Sequence, residues 1–540
     1  MPSSTSGPGQ PWSTLHFSLR TAPGAVDEFL VREVAPLLDG LVRTGAATAW
    51  SFVRADVDGG PHLRVRLRGA EPGAAAALAG SPKVAEATEV LEVTEVTAAA
   101  DEAPGEALAA CASRIAVEVV SVTGRGSGRL AAAVDLAHAT AWALGMDRSE
   151  SARWLRGQAG RPPGPAADAA AGDTPADQVT RLPGSVVHAQ VNAVHAAQRE
   201  GLAGRAAALR EDLGRGVAAG PVARWAAAVR EADEQEGGGG GARAREAVWA
   251  ARLHDLFSRL GTAPDEERAV CLLAAHALLD AGQPASHFPT GHLAPDRQYL
   301  ERSKFRIGRE HEIVPRQAPP EELPAGPEVA LPAGPVPDVS LWAAVTGRRT
   351  VRGSLTGPLT ATGLGTLLWG AHAVSHTTGA DPLVPHRPYP SAGALYTAGL
   401  RLFALRVEGL APGTYHCVPD RRALRRVADA PSLDEVEALS AYTSAPPDDP
   451  RAVVVDEVPA VLGLYVDLGR LRRRYGLRAL RMGLLEAGHL AQSLLLTASA
   501  LGLATTPLGG FRDDLAHELF GLDGLDQPLQ YLLPIGRPPA

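Results

Sequence analysis

Five short segments punctuate the last third of the chain: RRTVR at Arg348–Arg352, PSAGALY at Pro390–Tyr396, LEAGHLAQSL at Leu485–Leu494, TPLGGF at Thr506–Phe511 and LPIGRP at Leu533–Pro538. Glycine and proline recur through them, the residues that turn a backbone sharply or let another group lie against it. Arginines open the series and close it. Such a series describes a pocket assembled from distant pieces of chain, not a row of plain amphipathic helices. No single segment would decide that; their order and spacing do.

At 540 residues the chain exceeds what one hydrophobic core organises, so two or more domains are expected. A formal net charge of −8 argues against a surface that coats nucleic acid. Lys83 and Lys304 are the only lysines, so arginine supplies nearly all the positive charge. Cys111, Cys271 and Cys417 stand far apart without a CxxC pair, which points to neither a disulfide framework nor structural zinc, and no metal is expected. The opening MPSSTSGPGQP lacks the basic-then-apolar order of a signal peptide. The most apolar stretch, Leu484–Leu503, is interrupted by Glu486, His489 and Gln492, so no membrane span is expected and a cytoplasmic location is.

Strand-like alternation comes early. In Thr14–Arg20, Leu15, Phe17 and Leu19 point one way and His16, Ser18 and Arg20 the other. An amphipathic helix over roughly Val26–Val42 carries Phe29, Leu30, Val34 and Leu37 on one stripe. Trp50–Gly69 reads as two strands joined by an Asp-Gly-Gly-Pro turn. From about Gly105 to Leu279 the chain is Ala/Leu/Arg-rich and mainly helical, broken by loops near Arg161–Pro175 and at the pentaglycine Gly237–Gly241. A Pro-rich connection, Pro315–Pro337, leads to the C-terminal segments. The expected organisation is α+β in two domains: 11–283, a connection over 284–340, and 341–540.

A flavin nucleotide needs cations for its phosphate and backbone donors near ring atoms that gain charge on reduction. Arginine suits the phosphate because its planar fork donates two parallel hydrogen bonds. In order and spacing the five segments resemble the FMN-dependent azoline dehydrogenases of the nitroreductase superfamily, which turn thiazolines and oxazolines in ribosomal peptides into aromatic azoles. By that resemblance Arg348, Arg349, Thr350 and Arg352 match the family's arginine element, and Arg537 the arginine of its GRP ending. Leu508, Gly509 and Gly510 match the turn laid against the isoalloxazine, and Pro390, Ser391, Ala392 and Gly393 match the PSAG loop, with Ser391 its polar contact. Gln492 is carried over as a further cofactor contact. Where relatives have a Lys-Tyr pair that handles the azoline proton, this chain has Arg474–Tyr475. Tyr475 keeps the proton-handling role; arginine stays protonated and cannot readily serve as a base, so Arg474 stands as a fixed positive charge. The resemblance covers about Pro284–Ala540 and implies FMN and a homodimer. A general nitroreductase is the rival; PSAGALY, with Leu410–His416, favours the peptide-modifying branch.

Glu486, His489 and Gln492 recur every three residues and make a polar line along an otherwise apolar helix. A buried helix with satisfied polar groups competes with direct catalysis by His489. A polar network supporting the site fits both.

In HLRVRLR, alternation sends Leu63, Val65 and Leu67 to the core and His62, Arg64, Arg66 and Arg68 to the opposite face. From spacing alone, a solvated strand face is the better reading. Trp12 with HFSL, DEFLVREVAPLL and Trp50–Gly69 nevertheless resemble the small elimination domain of lantibiotic dehydratases and their thiopeptide relatives. In that family a partner domain esterifies a peptide Ser or Thr with glutamate from glutamyl-tRNA, and the small domain expels glutamate to leave a dehydroamino acid. The resemblance makes Arg64 and Arg66 the glutamate-binding pair. Leu253–Gly261 resembles the family's histidine element, with His254 in the catalytic position and Ser258 and Arg259 in those of its asparagine and arginine. Neutral imidazole can take an α-proton near neutral pH. The same segment fits an ordinary amphipathic helix with Leu253, Leu256, Phe257 and Leu260 inward, and His188 competes for the histidine role. A third arginine, common in the family after the arginine strand, has no counterpart between Arg68 and Arg114.

Together the halves resemble the fused elimination/azoline-dehydrogenase proteins of lactazole-type thiopeptide pathways: a lantibiotic-dehydratase small-domain fold followed by an FMN-binding nitroreductase-like fold. The implied partners are a precursor peptide, a separate tRNA-dependent glutamylating enzyme and a cyclodehydratase. Two rivals remain for the N-terminal half, a pyridine-forming cycloaddition enzyme and a noncatalytic docking module for the peptide.

Overall fold

The computed structural model describes residues 12–19, 25–57, 60–70, 78, 81, 88–96, 105–159, 182–236, 242–279, 294–307, 321, 323–379 and 384–538. They fall into two compact units, Met1–Leu182 with Ala189–Asp280, and Pro183–His188 with Ala281–Ala540. The Pro/Gly/Ala loop and the pentaglycine lie outside the described residues.

In the first unit, β1 (Trp12–Leu19), β2 (Ala49–Val57), β3 (Gly60–Arg68) and β4 (Thr88–Val96) form an antiparallel sheet in the order β2–β3–β1–β4. The expected hairpin is present, with Val57 opposite Gly60. Leu15, Phe17, Leu63, Val65 and Leu67 are fully buried on one face, as alternation requires. Strand β4, in TEVLEVTEV, had no counterpart in the sequence reading; it pairs with β1 through an irregularity between His16 and Phe17.

The helical run after β1 departs from its expected phase. Helices α1 (Ala25–Phe29) and α2 (Ala35–Thr44) are joined by a π-helical turn, Leu30–Val34. Phe29, Leu30 and Val34 are buried as expected, but Leu37 is 37% exposed and Leu38 takes the inward position. A π turn is wider than an α turn and shifts the inward face along by one residue. Pro36, which has no N–H to donate, follows directly on the π turn and interrupts the helical hydrogen-bond series there.

The helices that follow are α3 (Glu106–Thr123), α4 (Ser127–Ala143), α5 (Arg148–Ala159), α6 (Gly184–Arg215), α7 (Gly220–Gln235), α8 (Ala242–Leu260) and α9 (Pro264–Leu279). Helix α3 covers the edge of the sheet: the Phe52 N–H on β2 donates to the buried Ser113 Oγ at 3.1 Å. An edge strand whose donors are met in this way does not recruit another strand.

Beyond residue 281 the first element of the second unit is α10 (Pro295–Arg302), and the Pro-rich connection then supplies β5 (Glu328–Ala330). Next come α11 (Leu341–Gly347), α12 (Ala361–His372), β6 (Ala398–Ala404), β7 (Gly413–Val418), β8 (Ala423–Ala428) and β9 (Ala460–Val466). The chain finishes with α13 (Leu468–Tyr475), α14 (Ala479–Ala500), β10 (Ala504–Thr505), α15 (Asp513–Phe520) and β11 (Leu529–Gly536). The antiparallel sheet runs β10–β11–β9–β6–β7–β8–β5. Strand β5 takes an edge position, the place in a sheet where proline-rich sequence is tolerated. Leu364, Leu368, Leu490 and Leu494 of α12 and α14 pack with Leu400, Leu402, Leu462 and Leu464 in one core cluster. In a second cluster, Phe520 of α15 stacks on Phe403 with ring centroids 3.7 Å apart. Among the described residues no helix is long and apolar enough to cross a membrane.

Candidate active sites

In the second unit, short backbone bridges gather three of the five segments. Thr350 bridges to Thr505, Thr356 to Arg537, and Leu508 to Leu532. The Arg537 N–H donates to the Thr356 carbonyl at 2.7 Å, and the Thr506 hydroxyl donates to the Val351 carbonyl. Gly357, at φ 86°, leaves room for Arg537: a Cβ there would lie 3.1 Å from the arginine Cδ. Arg348 is half-buried, with its guanidinium 3.4 Å from the Thr350 hydroxyl, while Arg349, Arg352 and Arg537 are exposed. Gly509 and Gly510 are exposed too, and a Cβ on Gly509 would meet nothing within 4 Å. An open glycine turn among arginines fits a flat ring carrying a phosphate. Two residues here were absent from the sequence reading. Tyr442 lies under Arg352, 5.1 Å from guanidinium carbon to ring centre, and Ser440 Oγ donates to the Gly510 carbonyl at 2.5 Å.

The other two segments meet around Glu486, which is 1% exposed. Ser391 Oγ donates to Glu486 Oε2 at 2.7 Å and accepts from the Tyr396 N–H at 2.9 Å. Thr397 Oγ1 donates to the same carboxylate at 3.3 Å, and the Ala398 N–H to its other oxygen at 2.8 Å. Pro390 and Gly393 are exposed and Ala392 half-buried. Gly393 has φ 60°, and a Cβ on it would lie 2.5 Å from the Tyr475 hydroxyl and 3.3 Å from the Arg474 guanidinium carbon. The structure therefore brings Arg474 and Tyr475, at the end of α13, against the PSAG loop.

The polar line of α14 divides by depth. Glu486 is buried, while His489 and Gln492 are exposed, His489 Nδ1 lying 3.3 Å from the Pro390 carbonyl. A three-residue step falls about 60° short of a full helical turn, so the line drifts off the buried face. Behind the loop, Tyr389 OH lies 3.0 Å from Nδ1 of buried His372, and the Tyr396 hydroxyl accepts from the Arg387 N–H at 3.0 Å. Burial pushes the Tyr389 phenol well above its ordinary range, so it braces the loop rather than exchanging a proton.

In the first unit, His254 Nδ1 lies 2.7 Å from Glu267 Oε2, across the turn between α8 and α9. Both side chains are partly exposed, at 23% and 20%. The sequence carried no signal for Glu267, because nothing in the motif says how the next helix folds back. Arg64 and Arg66 are half-buried on β3, opposite Val53 and Ser51 of β2 and His16 and Thr14 of β1. Arg54 pairs with inward-facing Leu63, on the other face of the sheet. Its Nε donates to the Arg259 carbonyl at 2.9 Å and its Nη1 to Asp27 at 2.6 Å. Asp27 also accepts from Arg129 at 2.8 Å and Arg125 at 3.1 Å. Burial alone would raise this carboxyl, but Arg54 and Arg129 outweigh it and hold it below the usual range. Arg259 is 2% exposed, and its Nη1 donates to the Asp255 carbonyl at 2.9 Å. The end of the His254 helix is thus tied to the strand hairpin through Arg54.

Residues 345–537 match the nitroreductase family, and a nitroreductase-named protein of Methanocaldococcus jannaschii is 30% identical over 210 residues, 39% of this chain and 96% of the relative. The chain belongs to the nitroreductase family. Ahead of the nitroreductase domain, residues 12–278 match the lantibiotic biosynthesis dehydratase C-terminal family, so the architecture is a fusion of these two domain types. The microcin B17-processing protein McbC of Escherichia coli is 31% identical over 147 residues, 26% of this chain and 51% of McbC, so the match spans about half of that relative. Among solved structures, the pyridine synthase TbtD from thiomuracin biosynthesis superposes with a TM-score of 0.38 at 18% identity, covering 50% of this chain and 99% of that one.

Proposed function

We propose that the nitroreductase domain is an FMN-dependent dehydrogenase that oxidises thiazolines and oxazolines of a ribosomal precursor peptide to azoles. We propose further that the N-terminal domain eliminates glutamate from glutamylated Ser or Thr of the same peptide. The observation that carries the first half is the seating of the Tyr475 hydroxyl and the Arg474 guanidinium against Gly393. It sets a proton-handling group beside the loop matched to the flavin site. The relationship to a microcin-processing protein supports a peptide substrate.

Arg348, Arg349, Arg352 and Arg537 would hold the phosphate, and Gly509–Gly510 would lie against the ring with no side chain in the way. A bound flavin supplies the two-electron acceptor for the hydride that leaves one ring carbon of the azoline. Tyr475, acting as its phenolate, takes the proton from the neighbouring ring carbon and becomes the phenol, and loss of the two hydrogens leaves the added double bond of the azole. Arg474 provides a fixed positive charge beside the phenol. Leu477, Leu480, Leu484 and Leu485 are exposed along one side of α14 and its approach, which supports the homodimer.

In the N-terminal domain His254 removes the α-proton of the glutamylated residue. The electron pair forms the Cα=Cβ bond, the Cβ–O bond breaks, and glutamate departs as a carboxylate that Arg64 and Arg66 hold. Glu267 engages Nδ1 and so fixes the ring for proton transfer at Nε2. The His254–Glu267 pair favours proton transfer over a docking module.

The test is mass spectrometry of a Ser-glutamylated, thiazoline-containing peptide after incubation with purified, FMN-loaded protein. Loss of glutamate and of two hydrogens is expected. An unchanged ester alongside azole formation would leave the N-terminal domain as a docking or cycloaddition module, and a bis-dehydroalanine peptide would separate those two. A thiazoline left intact by flavin-loaded protein would overturn the dehydrogenase reading. A separate glutamylating enzyme and a cyclodehydratase would supply the substrate.

A further inference from the structure

Among the described residues, only three that are not glycine have positive φ, and two of them, Ala394 at 52° and Tyr396 at 47°, flank Leu395 beside Gly393. Left-handed backbone costs a residue with a side chain about 1 kcal/mol or more. The stretch 391–398 therefore needs a hold from outside itself, and its hydrogen bonds show where that hold comes from. Both oxygens of buried Glu486 accept from this stretch: one takes the Ser391 and Thr397 hydroxyls, the other the Ala398 N–H. Ser391 in turn accepts from Tyr396, one of the two left-handed residues. From α13, Arg470 donates to the Leu395 carbonyl at 3.4 Å. One carboxylate of α14 thus stands in for the ladder that regular structure would give the loop, and the loop so held presents Gly393 to Tyr475 and Arg474.

We infer that Glu486 is a positioning residue for azoline oxidation: its carboxylate holds the left-handed loop that seats the Tyr475 hydroxyl. The inference rests on the role proposed above for Tyr475. A glutamine at 486 keeps the shape but turns one acceptor into a donor, so either the hydroxyls or the Ala398 N–H lose their partner.

The test compares FMN-loaded wild type, Glu486→Gln and Thr397→Val, with Tyr475→Phe as reference. Three quantities are read: amide hydrogen exchange over 391–398, FMN content, and the pH–rate profile with kcat and KM for a thiazoline peptide. In Glu486→Gln, exchange at Tyr396 and Ala398 is expected to quicken by roughly tenfold or more, the loss of one hydrogen bond to a charged group. FMN content should hold, kcat should fall by a similar factor at nearly constant KM, and the pH profile should move as it does in Tyr475→Phe. Wild-type exchange rates in Glu486→Gln overturn the clamp. Faster exchange with unchanged kcat and pH profile overturns its role toward Tyr475. If Glu486→Gln does not fold, Thr397→Val removes a single donor to the carboxylate and carries the same comparison. Flavin-loaded wild type without thiazoline oxidation overturns the dehydrogenase reading instead, while the exchange data still decide the clamp.

Discussion

The hydroxyl of Tyr475 occupies the space that a β-carbon on residue 393 would need, 2.5 Å from its ideal position. The contact joins the end of α13 to the PSAG loop, and it makes glycine at 393 a requirement of space as well as of backbone, whose φ is 60°. Gly393→Ala is therefore expected to displace Tyr475 and to lower azoline oxidation by roughly tenfold or more, at a stability cost of about 1 kcal/mol. Steady-state kinetics beside a thermal melt would check it. Undiminished kcat would mean that Tyr475 does not act from this position.

His254 and Glu267 make a separate prediction. His254→Ala should abolish dehydroalanine formation from a glutamylated peptide. Glu267→Gln should retain it at a rate lower by roughly tenfold to a hundredfold, because an oriented imidazole is lost but the base remains. Mass spectrometry reads both, and azole formation in the same preparation is the internal control.

Cofactor retention should follow the arginines gathered by the Thr356–Arg537 bridge. Arg537→Ala and Arg352→Ala are each expected to weaken FMN binding by roughly tenfold or more, as loss of a charge-assisted phosphate contact does. Flavin fluorescence on dilution measures the release. Stripping FMN should stop azole formation and leave glutamate elimination intact.

Acid should destabilise the nitroreductase domain through two buried histidines. Burial, then Arg401 and Arg425, push His416 down to about 3. Its Nε2 lies 3.6 Å from Glu321 Oε1, yet those forces keep the ring neutral, so the contact is not an ion pair at neutral pH. Burial, then Arg387 and His416, hold His372 well below the usual range as well. An unfolded imidazole titrates near 6.5. The unfolded chain therefore binds more protons below that pH, and stability present above it is lost as pH falls from about 6.5 toward about 3. Melting temperature should drop between pH 7.5 and 5.5 by ~several degrees, and His416→Gln should flatten the slope.

Asp27 is the single carboxylate shared by Arg54, Arg125 and Arg129. Asp27→Ala would leave two buried guanidinium groups without their counter-charge, a change that costs about 3–5 kcal/mol. Thermal or denaturant unfolding of the N-terminal domain should show it, with cofactor retention unaffected.

Much of the architecture was legible along the chain. Alternation placed Leu15, Phe17, Leu63, Val65 and Leu67 inward, and burial agrees. Helix phase failed at Leu37 because a π turn is not written in hydrophobic spacing, and Leu38 faces the core instead. Strand β4 was missed because TEVLEVTEV repeats every three residues and lacks the two-residue alternation of a strand, so its role shows only where it pairs with β1. The even polar line of Glu486, His489 and Gln492 concealed a division between one buried carboxylate and two surface groups.

By itself the sequence determined which residues face a core and where turns are cheap. These depend on local backbone geometry and on side-chain period, which travel with the chain. Only the tertiary structure decided that Tyr475 meets Gly393, that Glu486 holds the left-handed loop, and that His254 faces Glu267. Each of these is a contact of a few ångströms between residues on different elements. Hydrogen bonds and steric exclusion act through space over that range alone, so no spacing along the chain encodes them.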